Sequence, residues 1–156
     1  MTYVIGRIGT SIGSEFKTRY TRLRCIEADT EEAALNIYNK PTSVNSHFYN
    51  RCIGVMNQNS QLLISNFSKK YRSSKEMKPT APGTYNFIVS KLLEEPDKLS
   101  EFSLYVPAII QAKNADEALS IYNQTYAPSR FKAYVLGYLD ENDNFIVPNI
   151  LDYIAK

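Results

Sequence analysis

The chain carries a single histidine, His47, and two cysteines, Cys25 and Cys52. A Ser-His-Asp or Cys-His nucleophile would have to use His47. That residue stands in the polar run Ser43-Val44-Asn45-Ser46-His47-Phe48, which reads as a solvated loop entering a strand. A zinc site built from histidine and cysteine needs about four ligands, more than this spacing offers. Both cysteines lie in strand-like runs and read as buried thiols in a reducing compartment rather than as a disulfide. Gly6, Gly9 and Gly13 lack the Gly-Lys-Ser/Thr ending of a phosphate loop, and a strand follows them where a helix would be needed. Asp140, Asn142 and Asn144 alternate like calcium ligands. The sharp-turn glycine is missing, and Leu151 takes the place of the closing glutamate, so a hairpin turn is the better reading. Glu31-Glu32 suits a first helical turn and Glu94-Glu95 a loop; neither has surroundings that would tune a carboxylate for proton transfer. We therefore expect no catalytic constellation, no cofactor and no metal.

Binding chemistry is better represented. Arg22 and Arg24 alternate along one strand-like run and would share a sheet face. Guanidinium forks there suit phosphates or carboxylates; a solvated face, or pairing with Glu15 and Glu27, is the plain alternative. A second group is Lys69, Lys70, Arg72, Lys75 and Lys78 around Tyr71, opposed by one acid, Glu76. This stretch is +4 while the whole chain is +2, so the remainder is −2 and the positive charge is local. Two polar loops, at 40–47 and 124–130, could be recognition loops; Tyr126 and Arg130 stand in the second. The expected partner-binding set is Arg22, Arg24, Lys69, Lys70, Tyr71, Arg72, Lys75, Tyr126 and Arg130.

The elements that hold these residues repeat. Residues 28–39 align with 112–123, sharing Ala-Leu-x-Ile-Tyr-Asn at 34–39 and 118–123. One deletion in the following loop then sets Phe48 on Phe131, Gly54 on Gly137 and Asn59 on Asn142. A single gap with matches on both sides argues for duplication. Each helix opens at a good N-cap, Thr30 or Asn114, with Glu117 in capping-box position. Ala34, Leu35 and Tyr38 make one apolar stripe, as do Ala118, Leu119 and Tyr122. Asn39 and Asn123 fall where a left-handed residue would end the helix. Hairpins follow at 51–64 and 134–147. Strands precede the helices at 20–28 and 104–112, and further strands open each half near 3–8 and 85–91.

The unit is β-β-α-β-β, which makes the expected fold α+β, with antiparallel sheets each carrying one helix in a pseudo-twofold arrangement. The expected partition is a first repeat at 1–66, a basic linker at 67–83 and a second repeat at 84–156. Within 156 residues, 44% are hydrophobic and 22% charged, values ordinary for a globular chain. No apolar run approaches the roughly 20 residues of a membrane span. Nothing resembles a signal peptide, and a cytoplasmic location is expected.

These features point to a non-enzymatic interaction protein with a protein partner. Twelve tyrosines supply large contact area at low entropic cost. Small duplicated proteins of this kind occur among phage or mobile-element accessory factors that block a host machine, such as anti-defence inhibitors; that step is analogy. The alternative is an RNA- or DNA-binding module using the basic segment and the Arg22/Arg24 face. A third reading is a small-ligand binder or enzyme with a cleft between the repeats.

Overall fold

The computed structural model describes residues 1–11, 17–40, 50–67, 81–92, 102–126, 128 and 131–154. Among them the chain forms β1 (Thr2–Ser11), β2 (Lys17–Glu27), α1 (Glu31–Asn39), β3 (Asn50–Met56) and β4 (Leu62–Ile64). It continues with β5 (Tyr85–Lys91), β6 (Phe102–Ala112), α2 (Ala115–Thr125), β7 (Ala133–Leu139) and β8 (Phe145–Val147), then a 3-10 turn at Ile150–Tyr153. The class is α+β with antiparallel pairing throughout.

Sequence reasoning expects two sheets; the strands instead form one closed barrel in the order β1-β2-β6-β5-β7-β8-β4-β3. Two pairings join the halves: Lys17 to Tyr20 of β2 run against Tyr105 to Phe102 of β6, and β4 pairs with β8 from Leu62↔Val147 to Ile64↔Phe145. Closure satisfies strand edges that two separate small sheets would leave open. The ring reads the same when β1–β4 are exchanged for β5–β8. Register is matched as well: Ile5↔Arg24 and Arg7↔Thr21 flank an irregularity, and so do Val89↔Ala108 and Lys91↔Tyr105.

Period-2 patterning fills both sides of the sheet. One cluster takes a side chain from every strand, among them Val4, Leu23, Ile53, Leu62, Ile88, Leu104, Leu136 and Phe145, and so fills the barrel. On the outside, α1 lays Ala34 and Tyr38 on Tyr3, Ile5 and Ile26. Likewise α2 lays Ala118 and Tyr122 on Val89, Ile110 and Ala133. Phe67 is buried and meets Phe145 edge-on at 4.7 Å.

Local chemistry explains the boundaries. Thr30 Oγ1 accepts from Ala33 N–H at 3.1 Å, and Asn114 Oδ1 from Glu117 N–H at 2.8 Å. Glu117 returns a carboxylate to Lys113 N–H at 3.1 Å, just short of the cap residue itself. Asn39 and Asn123 are not left-handed caps: α1 runs through Asn39 to a right-handed Lys40, and α2 continues past Asn123 to Thr125. The Asn39 side chain is used tertiarily, accepting from Asn50 Nδ2 at 2.8 Å. In the β3–β4 turn, Asn57 Oδ1 accepts from the N–H groups of Asn59 and Gln61 at 2.9 and 3.0 Å. Asp140 Oδ1 does the same for Asn142 and Asn144 in the β7–β8 turn. Ser60 and Asp143 take positive φ, closing turns in which Asn57 N–H donates to Gln61 O and Asp140 N–H to Asn144 O.

Candidate functional site

Arg22 and Arg24 lie on β2 where the strand is irregular. Two residues, Arg22 and Leu23, face Gly6 alone in the β1–β2 ladder, and Arg22 has φ 53. The left-handed turn points the Arg22 carbonyl away from the ladder, and the Tyr38 hydroxyl of α1 donates to it at 2.7 Å. Leu23 is thereby kept in the barrel interior while Arg22 and Arg24 stay exposed. The Arg24 guanidinium sits 5.8 Å from the centre of the Tyr38 ring, within cation–π range.

More positive charge gathers here. Burial raises the pKa of the Tyr38 hydroxyl, while the positive charges of Arg22, Arg24 and Arg7 pull it back down. Three guanidinium groups thus act on one phenol. Arg7 pairs with Thr21 on one side and Asn50 on the other. Exposed Arg51 is paired with Gly6 on β3 and donates to the Asn50 carbonyl at 2.8 Å. Arg7, Arg22 and Arg24 therefore gather on one stretch of β1 and β2 beside the end of α1, whereas Arg51, the strand partner of inward-facing Gly6, belongs to the other face of the sheet.

The register irregularity between β5 and β6 shares two of these backbone features and carries different side chains. Val106 has φ 50, and Tyr122 Oη donates to its carbonyl at 2.6 Å. Val106 and Ala108 stand where β2 has Arg22 and Arg24, judged by the matched registers. Where Gly6 is hemmed in by Leu23 Cδ2 at 2.8 Å and Thr21 O at 3.0 Å from a hypothetical Cβ, β5 has Ser90. Its buried hydroxyl accepts from Tyr105 N–H at 2.8 Å and lies 3.2 Å from the Tyr105 carbonyl, so it closes the gap the irregularity opens in the ladder. The Tyr122 pKa is pushed up to about 12 by burial and by neighbouring Tyr126.

Of the residues singled out in sequence, Arg22 and Arg24 are brought together and exposed. Tyr126 is elsewhere: it packs on the α2 cluster, its ring stacked on Tyr122 at 4.4 Å. Lys69, Lys70, Tyr71, Arg72, Lys75, Arg130, His47 and Glu15 lie outside the described residues. Arg7 and Arg51 were not singled out by sequence reasoning, and Tyr38 was read only as part of the helix's apolar stripe. Arg7 alternates with the apolar Tyr3 and Ile5 on β1, which places it on the outer face, but its nearness to Arg24 depends on strand pairing. The cysteines form no disulfide, yet Cys25 is exposed and Cys52 half-buried, which corrects the expectation of two buried thiols. Among the described residues no group of three or more His, Cys, Asp or Glu could hold a metal ion, and no helix is long and apolar enough to cross a membrane. No known family model, curated protein or solved structure matches the chain.

Proposed function

We propose that this chain is a non-enzymatic binding protein that docks an acidic protein partner on the arginine-bearing outer face of its first half. One observation carries the reading. The tyrosine-to-carbonyl bond and the left-handed residue occur at both matched places, but only one of them carries arginines. The second half folds the same backbone with Val106 and Ala108, so Arg22 and Arg24 are not required by the fold. Exposed guanidinium groups that the fold does not need, held beside a fixed aromatic ring, make an oxyanion-seeking surface.

Behind this stands a second part of the proposal: the chain is an internal duplication of a β-β-α-β-β unit, related by a pseudo-twofold axis. The exchange-invariant ring order and the matched register irregularities support it. Duplication leaves one copy free to diverge. On this reading residues 1–66 and 84–156 are the two units and the basic segment at 67–83 joins them, its Lys69, Lys70, Arg72 and Lys75 adding to the attraction for an acidic partner in the cytoplasm. Blocking a host machine, as phage accessory factors and anti-defence inhibitors do, is a role such a surface suits.

Phosphate would also satisfy the arginines, so a nucleic-acid partner is the second reading. The test captures partners from cell lysate with the tagged protein and titrates wild type and Arg22→Ser/Arg24→Ser against the captured protein and against oligonucleotides at two salt concentrations. We expect a protein complex weakened at least tenfold by the double substitution, with the melting temperature unchanged. Tight oligonucleotide binding that falls steeply with salt, by about 0.9 log units per log of salt for each phosphate neutralised, favours the second reading instead.

A further inference from the structure

β2 and α1 run antiparallel: the chain turns at 28–30, and α1 returns far enough to set Tyr38 beside Arg22 and Arg24. Charge is sorted along this unit. At the turn end stand Glu27, Asp29, Glu31 and Glu32, all exposed; at the other end stand exposed Arg22, Arg24 and Lys40. On α1 the sorting falls on a single row. Glu32, Asn36 and Lys40 follow one another at i, i+4 spacing, and all three are exposed. Lys40 keeps right-handed backbone, so the row extends to it. Beside the row Ile37 is 44% exposed, outside the cluster under the helix. Acids in a first turn suit the macrodipole, and α2 has them too, as Asp116 and Glu117. The aligned row of α2 reads Asp116, Ser120 and Gln124, with no cation, and Ile121 is half-buried. The acid-to-base row and the exposed isoleucine are therefore particular to α1 and are not needed to form such a helix.

We infer that α1 pairs antiparallel with α1 of a second copy of this chain, across a twofold axis beside Asn36. Asn36 is midway between Glu32 and Lys40, so a half-turn about it puts Glu32 of each copy opposite Lys40 of the other and brings the two Ile37 side chains near the axis. A row acidic at one end and basic at the other is self-complementary under that operation, as an isologous interface must be. Parallel pairing would instead oppose like charges, which suppresses association. The same half-turn carries Glu27, Asp29 and Glu31 of one copy toward the Arg22 and Arg24 end of the other. One short helix with an uncharged centre and a charged rim makes a small interface, of the class below about 1,200 Å² that forms weak, reversible complexes. The pairing needs no other protein and is independent of the arginine-face reading.

The test is sedimentation velocity of the full chain up to millimolar concentration at low and high salt, with wild type, with Glu32→Lys and Lys40→Glu each alone, and with the two variants mixed. Both positions are exposed, and the melting temperature of each variant checks that the fold is kept. The expected result for wild type is a monomer–dimer equilibrium that shifts toward monomer as salt screens the charges. Each variant alone sets like charges opposite each other and should dimerise at least tenfold more weakly. In the equimolar mixture the lysines of one chain meet the glutamates of the other, and dimers should return. A wild type that stays monomeric throughout overturns the inference. So does a dimer that either reversal leaves intact, and so does a mixture that dimerises no better than its components. Arg22 and Arg24 are unchanged in both variants, so failure here leaves the arginine-face reading to its own titration.

Discussion

Tyr38 and Tyr122 make the same kind of hydrogen bond in two electrostatic settings. Each hydroxyl holds a carbonyl that a left-handed residue has turned out of its ladder. Removing either hydroxyl strands a partly buried acceptor, and a typical intramolecular hydrogen bond is worth about 0.5–1.5 kcal/mol. Tyr38→Phe and Tyr122→Phe should each lower stability by about that amount, read as a shift in urea midpoint at constant slope. Their titrations should differ. Burial raises both, but only Tyr38 is pulled back by arginines. Arg22→Ser/Arg24→Ser should raise the Tyr38 pKa and leave Tyr122 where it is, as followed by NMR of the ring carbons. For Tyr122 the folded value of about 12 lies above the usual 10. The folded state therefore keeps a proton that the unfolded chain releases. The stabilisation is complete below about pH 10 and is lost as pH rises toward 12; Tyr153, also pushed up to about 12 by burial, adds to the same loss. A stability curve that is flat between pH 10 and 12 would contradict this.

The two helices and the two short hairpins show what the sequence makes legible and what it hides. Cap residues, helix stripes and turn residues act within a few positions of one another, so Thr30, Asn114, Asn57 and Asp140 announce their roles locally. The register of the helices is subtler. Ala34 and Tyr38, with Ala118 and Tyr122, are the buried positions, whereas Leu35 and Leu119 are only half-buried at the edge of the stripe. Alanine fits because each helix lies close on the sheet. Ala34→Leu and Ala118→Leu should each cost about 1–3 kcal/mol through overpacking, and Leu35→Ala and Leu119→Ala less than the 2–5 kcal/mol of a buried leucine. Urea midpoints that rank the leucine truncations as the more damaging would show the helices are rotated from these positions. In the β7–β8 turn, burial works against the Asp140 carboxylate. Hydrogen bonds from the Asn144 side chain and from the N–H groups of Asn144 and Asn142 outweigh it and hold the pKa below its usual value. The stabilisation is present above the unfolded carboxylate pKa and is lost as pH falls through the lowered one; Asp140→Ala should abolish that part of the acid sensitivity.

At the scale of the molecule, closure of the barrel is the feature that local sequence does not announce. Leu62 meets Val147 and Tyr20 meets Phe102, pairs too far apart in the chain for any window of sequence to join. The left-handed Arg22 and Val106 are equally hidden, since neither residue type favours positive φ; the bond from the helix tyrosine fixes them. Close approach leaves a clearer mark: a Cβ on Gly54 would overlap the Leu63 carbonyl oxygen, and one on Gly137 that of Ile146, which accounts for glycine at both places. The arginines were legible as a pair on β2. Their grouping with Arg7 and Tyr38 was not, because two strands and a helix must meet to assemble it. The basic segment lies outside the described residues, and its contribution is a matter for titration. Changing Lys69, Lys70, Arg72 and Lys75 together to Ser should weaken partner binding at low salt and leave the melting temperature nearly intact. The proposed role of the arginine face is tested by the affinity of Arg22→Ser/Arg24→Ser, beside that of wild type, for the protein captured from lysate. The prediction is at least a tenfold loss, about 1.4 kcal/mol of binding, with an unchanged melting temperature; equal affinities, or a loss that merely tracks unfolding, would contradict the account.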